Sequence, residues 1–335
     1  MNDTRPAGPR ANDLRADDRP SGGIPASRPI VPILPEGEAI LQPPMDNTPN
    51  EAPETEPPAR IPHLGHALLF LAIAALTLLI LQLVLLGVTH NLPKIAAPPP
   101  SQPIGTSHVA DSIPPKLLII AEALSYIATL GVSWFIFPFF WHKSFVAGLQ
   151  LNGSTATRNA LRLIPIGITV SFIVLAISAL ITTPKSIPID EFFRTPGDAW
   201  LVSAFGVLLA PLFEEILFRG FLLPGFAIAY DWLSLPRIPA AREQWNSTNT
   251  LTFPALVFSA VLTSILFALM HAVQTGFTWP VLVLLFLVSL LLTAVRLRLR
   301  SVLASTLVHA SYNFAIFLSL FIATGGYRHL DHLTH

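Results

Sequence analysis

The chain has 335 residues, of which 52% are hydrophobic and only 12% are charged, and its mean hydropathy is +0.59. An ordinary soluble domain has about 25% charged residues, so this composition argues against a soluble enzyme. Lysine plus arginine equal aspartate plus glutamate at 20 each, which leaves no basic field to attract nucleic acid. Cysteine is absent from the sequence, which excludes disulfides, thiolate metal sites and a cysteine nucleophile.

Residues 1–62 differ in composition from the rest of the chain. They contain 10 of the 20 acidic residues and 14 of the 32 prolines, and they lack a long apolar run. Such a segment buries too little apolar surface to offset the entropy that ordering would cost. The composition therefore predicts a disordered, proline-rich and acidic tail.

Apolar segments of membrane-spanning length begin directly after the tail. A transmembrane helix needs about 20 consecutive, mainly apolar residues. Seven segments approach or reach this length: Leu64–Val88, Leu117–Phe140, Ala160–Thr182, Ala199–Leu223, Pro254–Ala272, Val281–Val295 and Val302–Ala323. Their apolar residues are continuous rather than alternating, which excludes a β-barrel. The prediction is an all-α polytopic membrane protein with about seven transmembrane helices.

The distribution of lysine and arginine among the loops predicts the orientation. With the N-terminus in the cytoplasm, the inner loops contain seven of these residues and the outer segments contain five. Positive residues are enriched on the cytoplasmic side, so the bias favours a cytoplasmic N-terminus in a protein of the cell (plasma) membrane. Residues 296–300, with three arginines, read as a basic collar whose side chains snorkel at a helix end.

Ionisable side chains inside the predicted spans carry most of the functional information. Each costs about 3 kcal/mol or more at the bilayer centre, so such residues face a cavity or a partner. They are Glu122, Glu214, Glu215, Arg219, His271 and His309, with Asn313 as a polar companion. Glu122 lies six residues from Lys116, which favours a position within a turn of the membrane surface over a role in lining a cavity.

The segment around Glu214 has the pattern of a paired and an unpaired carboxylate. Glu215 and Arg219 are four residues apart, so they share a helix face and can form an ion pair. Glu214 lies about 100° further round the helix, away from that arginine. A carboxylate without a partner can act as a general base. The alternative is a purely structural ion pair, with Glu214 directed towards the headgroups.

Two histidines on later spans complete the polar set. His271 ends the fifth span, where an interfacial or hydrogen-bonded core histidine is the ordinary alternative to a catalyst. His309 and Asn313 are four residues apart in the last span and therefore face the same way. A hydrogen-bonded pair between helices is the alternative for these two.

Three motifs in this order carry a family resemblance: Glu-Glu-x-x-x-Arg at 214–219, Phe-x-x-x-His at 267–271 and His-x-x-x-Asn at 309–313. The set resembles the CAAX protease and bacteriocin-processing (CPBP, or Abi) family of intramembrane proteases, which includes the Ras-converting CAAX endopeptidases. The predicted organisation is a tail (1–62), three N-terminal transmembrane helices (63–197), a CPBP-type protease core (198–325) and a short C-terminal tail (326–335).

The resemblance implies an endopeptidase that cuts a peptide bond at the membrane. Glu214 would activate the attacking water, and Glu215 with Arg219 would form the supporting ion pair. His271 would orient the water or share its proton. The expected partners are membrane lipid and a peptide or protein substrate, which is a prenylated tail in the best-known relatives; no nucleic acid is expected.

The resemblance leaves the cofactor open. In a metal-free mechanism, His309 and Asn313 would stabilise the oxyanion of the tetrahedral intermediate. In a metallo-mechanism, Glu214, His271 and His309 would hold a zinc ion with one position open for water. Asparagine is a poor zinc ligand but a good oxyanion donor, which favours the version without a cofactor.

Two further functions compete with proteolysis. A non-catalytic membrane scaffold, or a bacteriocin self-immunity protein, could use the same polar cluster only to hold helices together. A scaffold would not need the carboxylate of Glu214 beside one that is already paired. A transporter would also explain buried charges, but the sequence shows none of the repeated halves that are typical of transporters.

Overall fold

The computed structural model describes residues 60–91, 114–181 and 188–330 of the chain. Within these ranges the protein consists of helices, turns and loops without a β-strand. The helices are α1 (Leu64–Asn91), α2 (Pro115–Trp141), α3 (Phe145–Gly148), α4 (Gly153–Arg158), α5 (Ala160–Ser178), α6 (Pro196–Ser234), α7 (Pro239–Ser247), α8 (Phe253–Met270), α9 (Trp279–Leu299) and α10 (Val302–Ala323). Disorder is predicted for residues 1–62, and residues 1–59 of this segment lie outside the described residues.

Seven helices in the described ranges are long and apolar enough to cross a membrane, namely α1, α2, α5, α6, α8, α9 and α10. This confirms the predicted all-α polytopic fold and the number of spans. The protein is a multi-pass integral membrane protein. The short helices α3, α4 and α7 lie in the connections between the spans.

Helix α6 is longer than its predicted segment, which ended at Leu223, because it continues to Ser234. Two stretches of π-helix interrupt it, at Phe205–Leu209 and Ile216–Leu222. A proline follows each stretch by two residues, at 211 and 224. Proline lacks a backbone N–H and its ring clashes with the carbonyl four residues earlier. Local widening into π-helix relieves both effects, so the helix continues through these prolines instead of ending.

Side-chain caps define where three of the spans begin. The hydroxyls of Thr195, Thr252 and Ser301 each accept a hydrogen bond from the backbone N–H three residues later, at 3.2, 3.3 and 3.2 Å. Pro196 and Pro254 occupy the first turns of α6 and α8, where no intrahelical partner for an N–H exists. These caps satisfy backbone groups that a helix end would otherwise leave unpaired.

Helices α5 and α10 pack closely because Gly167 has no side chain. A Cβ atom at this position would lie 2.4 Å from the carbonyl oxygen of Val308 and 2.8 Å from Cβ of Ser311. Small residues let helix backbones approach in this way inside membranes. The glycine therefore sets the position of the part of α10 that carries His309.

Two apolar clusters form the core. The first is mainly aromatic and includes Phe70, Phe137, Trp141, Phe213, Phe218, Phe221 and Phe267. The second joins α5, α9 and α10 through Leu163, Val288, Leu292, Ala304, Val308 and Tyr312. The glutamate pair follows Phe213 of the first cluster and His309 follows Val308 of the second. The polar residues therefore lie where the two apolar clusters meet.

Candidate active site

The ion pair predicted from the spacing of Glu215 and Arg219 is present and fully buried. Arg219 Nη1 donates to Glu215 Oε1 at 2.8 Å, and both side chains are 0% exposed. Arg219 Nη2 donates to the carbonyl oxygen and to Oγ of Ser289 on α9, at 2.8 and 2.6 Å. Ser289 was not predicted, because a single serine in an apolar span gives no signal of its partner.

His309 lies between the two glutamates. Its Nδ1 is 3.1 Å from Glu215 Oε1, and its Nε2 is 3.8 Å from Glu214 Oε2. The histidine is 4% exposed. Since a carboxylate accepts and does not donate, Nδ1 carries the hydrogen in the contact with Glu215. Glu215 thus orients the imidazole so that its other nitrogen faces Glu214.

The two neighbouring glutamates have different surroundings, as the sequence predicts. Glu215 is bonded through Oε1 to Arg219 and His309, whereas Glu214 makes no such bond; Oε2 of each carboxylate is buried without a hydrogen-bond partner among the described residues. Glu214 is 8% exposed and Glu215 is 0% exposed. Buried carboxylate oxygens are normally hydrogen-bonded, so an unsatisfied one marks a position where water or a ligand is expected.

Phe267, the first residue of the Phe-x-x-x-His motif, connects the site residues. Its ring centroid is 4.8 Å from that of His271 and 5.7 Å from that of His309. The guanidinium carbon of Arg219 lies 4.9 Å from the same ring. This buried ring holds residues from three helices at fixed separations, and the attraction of its face for a cation stabilises the arginine.

His271 follows the last residue of α8 and is half-buried. Its Nδ1 lies 2.9 Å from the carbonyl oxygen of Phe267. A carbonyl only accepts, so Nδ1 is the donor and Nε2 is left as an acceptor in the neutral ring. An acceptor nitrogen is what a histidine needs in order to hold a water molecule through one of its hydrogens.

Asn313 is fixed by an unusual feature of α6. Its Nδ2 donates to the carbonyl oxygen of Gly206 at 2.7 Å. In the π-helical stretch, the N–H of Ala210 bonds to the carbonyl of Phe205, five residues back. The next N–H in this pattern would belong to Pro211, which has none. The carbonyl of Gly206 therefore has no N–H partner within the helix and accepts the bond from Asn313 instead. The second hydrogen of the Asn313 amide remains available to another acceptor.

Glu122 lies about two helical turns from the first residue of α2, and its depth in the membrane stays a prediction. It is half-buried and accepts a hydrogen bond from the hydroxyl of Tyr126 at 3.0 Å. It is close enough to Glu214 for the two carboxylates to interact electrostatically. Tyr126 in turn stacks on Phe213, with centroids 3.8 Å apart.

The predicted zinc ligands are not grouped as a metal site in this arrangement. Ligands that share a zinc ion lie about 2 Å from it, so three of them must converge on one point. Among the described residues, no group of three or more histidine, aspartate or glutamate side chains is placed to hold a metal ion. Glu214 and His309 are neighbours, but His271 does not complete a three-ligand set with them.

The fold and the site together define a helical membrane protein with a buried glutamate–arginine–histidine network. Residues 196–315 match the family described as Type II CAAX prenyl endopeptidase Rce1-like. The match begins with the first residue of α6, ends within α10 and contains all three motifs. It confirms the resemblance of this part of the chain to the CAAX protease family. No curated protein and no solved structure matches the chain.

Proposed function

We propose that the protein is an intramembrane endopeptidase that hydrolyses a peptide bond with a water molecule activated by Glu214. The observation that carries this proposal is the buried Oε2 of Glu214, which lacks a hydrogen-bond partner and lies 3.8 Å from His309 Nε2. A base and a donor are thus placed side by side in a site shielded from bulk water.

In the proposed reaction, Glu214 takes a proton from water while the oxygen of that water adds to the carbonyl carbon of the substrate. His271, through Nε2, accepts a hydrogen bond from the second hydrogen of the water and orients it. The C–N bond of the tetrahedral intermediate then breaks. Glu214 returns its proton to the leaving amine, so the products are a carboxylic acid and an amine. Positioned general bases of this kind typically contribute about 10²–10⁴-fold in rate.

The negative charge on the carbonyl oxygen needs hydrogen-bond donors. As an imidazolium, His309 donates from Nδ1 to Glu215 and from Nε2 to the oxyanion. Asn313 supplies the amide hydrogen that Gly206 does not use. One donor of this type is worth about 3 kcal/mol in the transition state.

The substrate we propose is a peptide or protein tail held at the membrane, prenylated as in the name of the matched family or of a related kind. We propose that the protein lies in the cell membrane with its N-terminus on the cytoplasmic side. The excess of lysine and arginine in the loops on that side supports the orientation.

The scaffold alternative explains less of the structure. Glu215, Arg219 and Ser289 already form a hydrogen-bonded network that would hold α6 and α9 together. Glu214 adds nothing to that network, and a buried carboxylate oxygen without a partner costs about 1–3 kcal/mol or more. A residue that destabilises the fold in this way is consistent with catalysis rather than with a purely structural role.

Newly formed peptide termini in native membranes test the proposal. Membranes with the wild-type protein would be compared with membranes that contain Glu214→Gln at equal expression. Glu243→Gln, at an exposed glutamate of α7, is the matched control. We expect termini that depend on the wild type and the control but disappear with Glu214→Gln. Identical profiles for all three proteins would favour the scaffold.

Elemental analysis of the purified protein tests whether it contains a zinc ion. We expect less than one zinc ion per chain and cleavage that persists in a chelator, since the described histidine and carboxylate groups form no three-ligand set. Stoichiometric zinc together with chelator-sensitive cleavage would replace this mechanism with a metallo-mechanism.

A further inference from the structure

A cavity of about 610 Å³ opens at the end of the bundle where α1 and α8 begin and α9 ends. Four arginines line it: Arg60, Arg219, Arg296 and Arg300. No acidic residue lines it, and its remaining wall is mostly apolar. The cavity is therefore an electropositive space with hydrophobic sides.

Two of the four arginines are already engaged. Arg219 is bonded to Glu215 and Ser289 in the site described above. Arg60 donates to the carbonyl oxygens of Trp245 and Thr248, and its guanidinium stacks on the Trp245 ring at 3.4 Å. Their charges contribute to the potential in the cavity, and both guanidinium groups already have bonded partners in the protein, although Arg60 Nη1 and Arg219 Nε are buried without a hydrogen bond.

Arg296 has no such partner. Its side chain is buried, with 8% exposure, and its Nε is among the buried polar atoms without a hydrogen bond. None of the ion pairs found among the described residues includes it. Glu215 interacts with it electrostatically, but that carboxylate is directly bonded to Arg219. A buried guanidinium without a bonded anion is costly, and an anion from outside the chain would offset that cost.

The position and lining of the cavity indicate which anion this is. The planar fork of arginine matches the oxygens of a phosphate group. A volume of about 610 Å³ is within the usual range of sites for small molecules and is much larger than one carboxylate requires. Apolar side chains such as Leu223, Ile228 and Leu256 line the same space. Helix ends lie at the level of the headgroups, where basic pockets between helices bind anionic lipids.

We propose that this cavity binds the phosphate of an anionic phospholipid headgroup, with Arg296 as its principal ligand. The exposed Arg300, four residues further on, is placed at the mouth of the cavity to contribute a second guanidinium. The apolar wall contacts the glycerol and the first carbons of the acyl chains. The cavity shares Arg219 with the candidate active site, but lipid binding is a separate activity and does not depend on the proposed function.

Native mass spectrometry of the full chain, purified in detergent, tests this proposal without a cleavage assay. The probes are phosphatidylglycerol, phosphatidylcholine and inorganic phosphate. We expect the wild type to retain one phosphatidylglycerol in preference to phosphatidylcholine, and Arg296→Gln to reduce that retention about tenfold or more. Arg298→Gln is the matched control, because Arg298 is exposed on the same helix and does not line the cavity; we expect it to retain the lipid within twofold.

Leu256→Trp provides a second variant that keeps Arg296 and fills the cavity, so the test stands even if Arg296→Gln fails to fold. We expect it to lower the retention of phosphatidylglycerol as well. Equal retention by the wild type, Arg296→Gln and Leu256→Trp would overturn the proposal. Binding of inorganic phosphate without any preference for phosphatidylglycerol would overturn the lipid assignment.

Discussion

The N-terminal membrane helices are on the whole less buried than the C-terminal ones. In the most apolar part of each helix, the share of residues buried by the rest of the chain is 11% in α1, 28% in α2 and 17% in α5, against 50% in α6, 33% in α8, 39% in α9 and 28% in α10. The C-terminal helices carry the buried glutamates, arginines and histidines. A charged group inside a membrane needs partners from other helices, so helices that carry such groups must lie within the bundle. Helices without them can face lipid over most of their surface.

The contrast does not make the N-terminal helices dispensable. Tyr126 of α2 stacks on Phe213, the residue before the glutamate pair. Gly167 of α5 lets α10 approach closely beside His309. These helices therefore position the site through packing, whereas the C-terminal helices supply its reactive groups. The following predictions test this division.

Arg219→Met should have the largest effect on stability. It removes the partner of Glu215 and leaves a buried carboxylate, which should lower the free energy of unfolding by about 3–5 kcal/mol. Thermal unfolding in detergent measures the loss, and Arg298→Met, at an exposed arginine, is the control. If both variants unfold at the same temperature as the wild type, the C-terminal helices do not depend on this pair.

Asn313→Ala should reduce cleavage with little change in unfolding temperature. Loss of one oxyanion donor typically lowers kcat by about 10²–10³-fold. The rate is measured on a substrate identified from the new peptide termini. Ser311→Ala is the control on the same helix, because Ser311 bonds only to a carbonyl of its own helix and should keep its activity. Equal rates for the two variants would remove Asn313 from the reaction.

Gly167→Ala tests the positioning role of the N-terminal helices. The new methyl group would meet the backbone of α10 at 2.4 Å, and overpacking of this kind costs about 1–3 kcal/mol. Both the unfolding temperature and the cleavage rate should fall. Gly131→Ala on α2 is the control, since no atom lies within 4 Å of the added carbon. Normal activity of Gly167→Ala would mean that α5 does not position His309.

Glu122→Gln should have the smallest effect, because the residue lies outside the segment that matches the protease family. We expect cleavage within about threefold of the wild type, as for most substitutions away from a reacting group. Tyr126→Phe, which removes the hydrogen bond to Glu122 but keeps the aromatic ring, is the companion variant. A 100-fold lower cleavage rate of Glu122→Gln would mean that a third carboxylate takes part in the reaction. The N-terminal helices would then supply a reactive group as well as packing.

Much of the fold follows from the sequence because length and continuous hydropathy determine which segments can span a bilayer. All seven spans are predicted; Val302–Ala323 has the same bounds in the structure, and Leu64–Val88 begins at the same residue as α1. The extension of α6 is not predicted, since a proline such as Pro224 is expected to end a helix. The continuation of α6 beyond Pro224 depends on π-helical widening, which no local sequence pattern predicts.

The site is predictable as far as it depends on spacing along one helix. The Glu215–Arg219 pair follows from four-residue periodicity alone. Contacts between helices do not follow in this way: neither Ser289 as the partner of Arg219 nor the carbonyl of Gly206 as the partner of Asn313 has a sequence signal. Such contacts depend on the relative rotation of helices, which is set by packing.

The π-helical stretches of α6 have a consequence for insertions and deletions. A π-turn is equivalent to one extra residue within an α-helix. Deletion of a single residue between 205 and 209 would restore regular α-geometry and leave everything downstream facing nearly the same way, because the wider turn had absorbed that residue. Deletion of one residue between 210 and 213, where the helix is regular, would instead rotate the preceding part of α6 by about 100° relative to the glutamate pair. The π-helical stretch thus tolerates a change in length that the regular turn beside it does not, although in both cases every motif stays intact in the sequence.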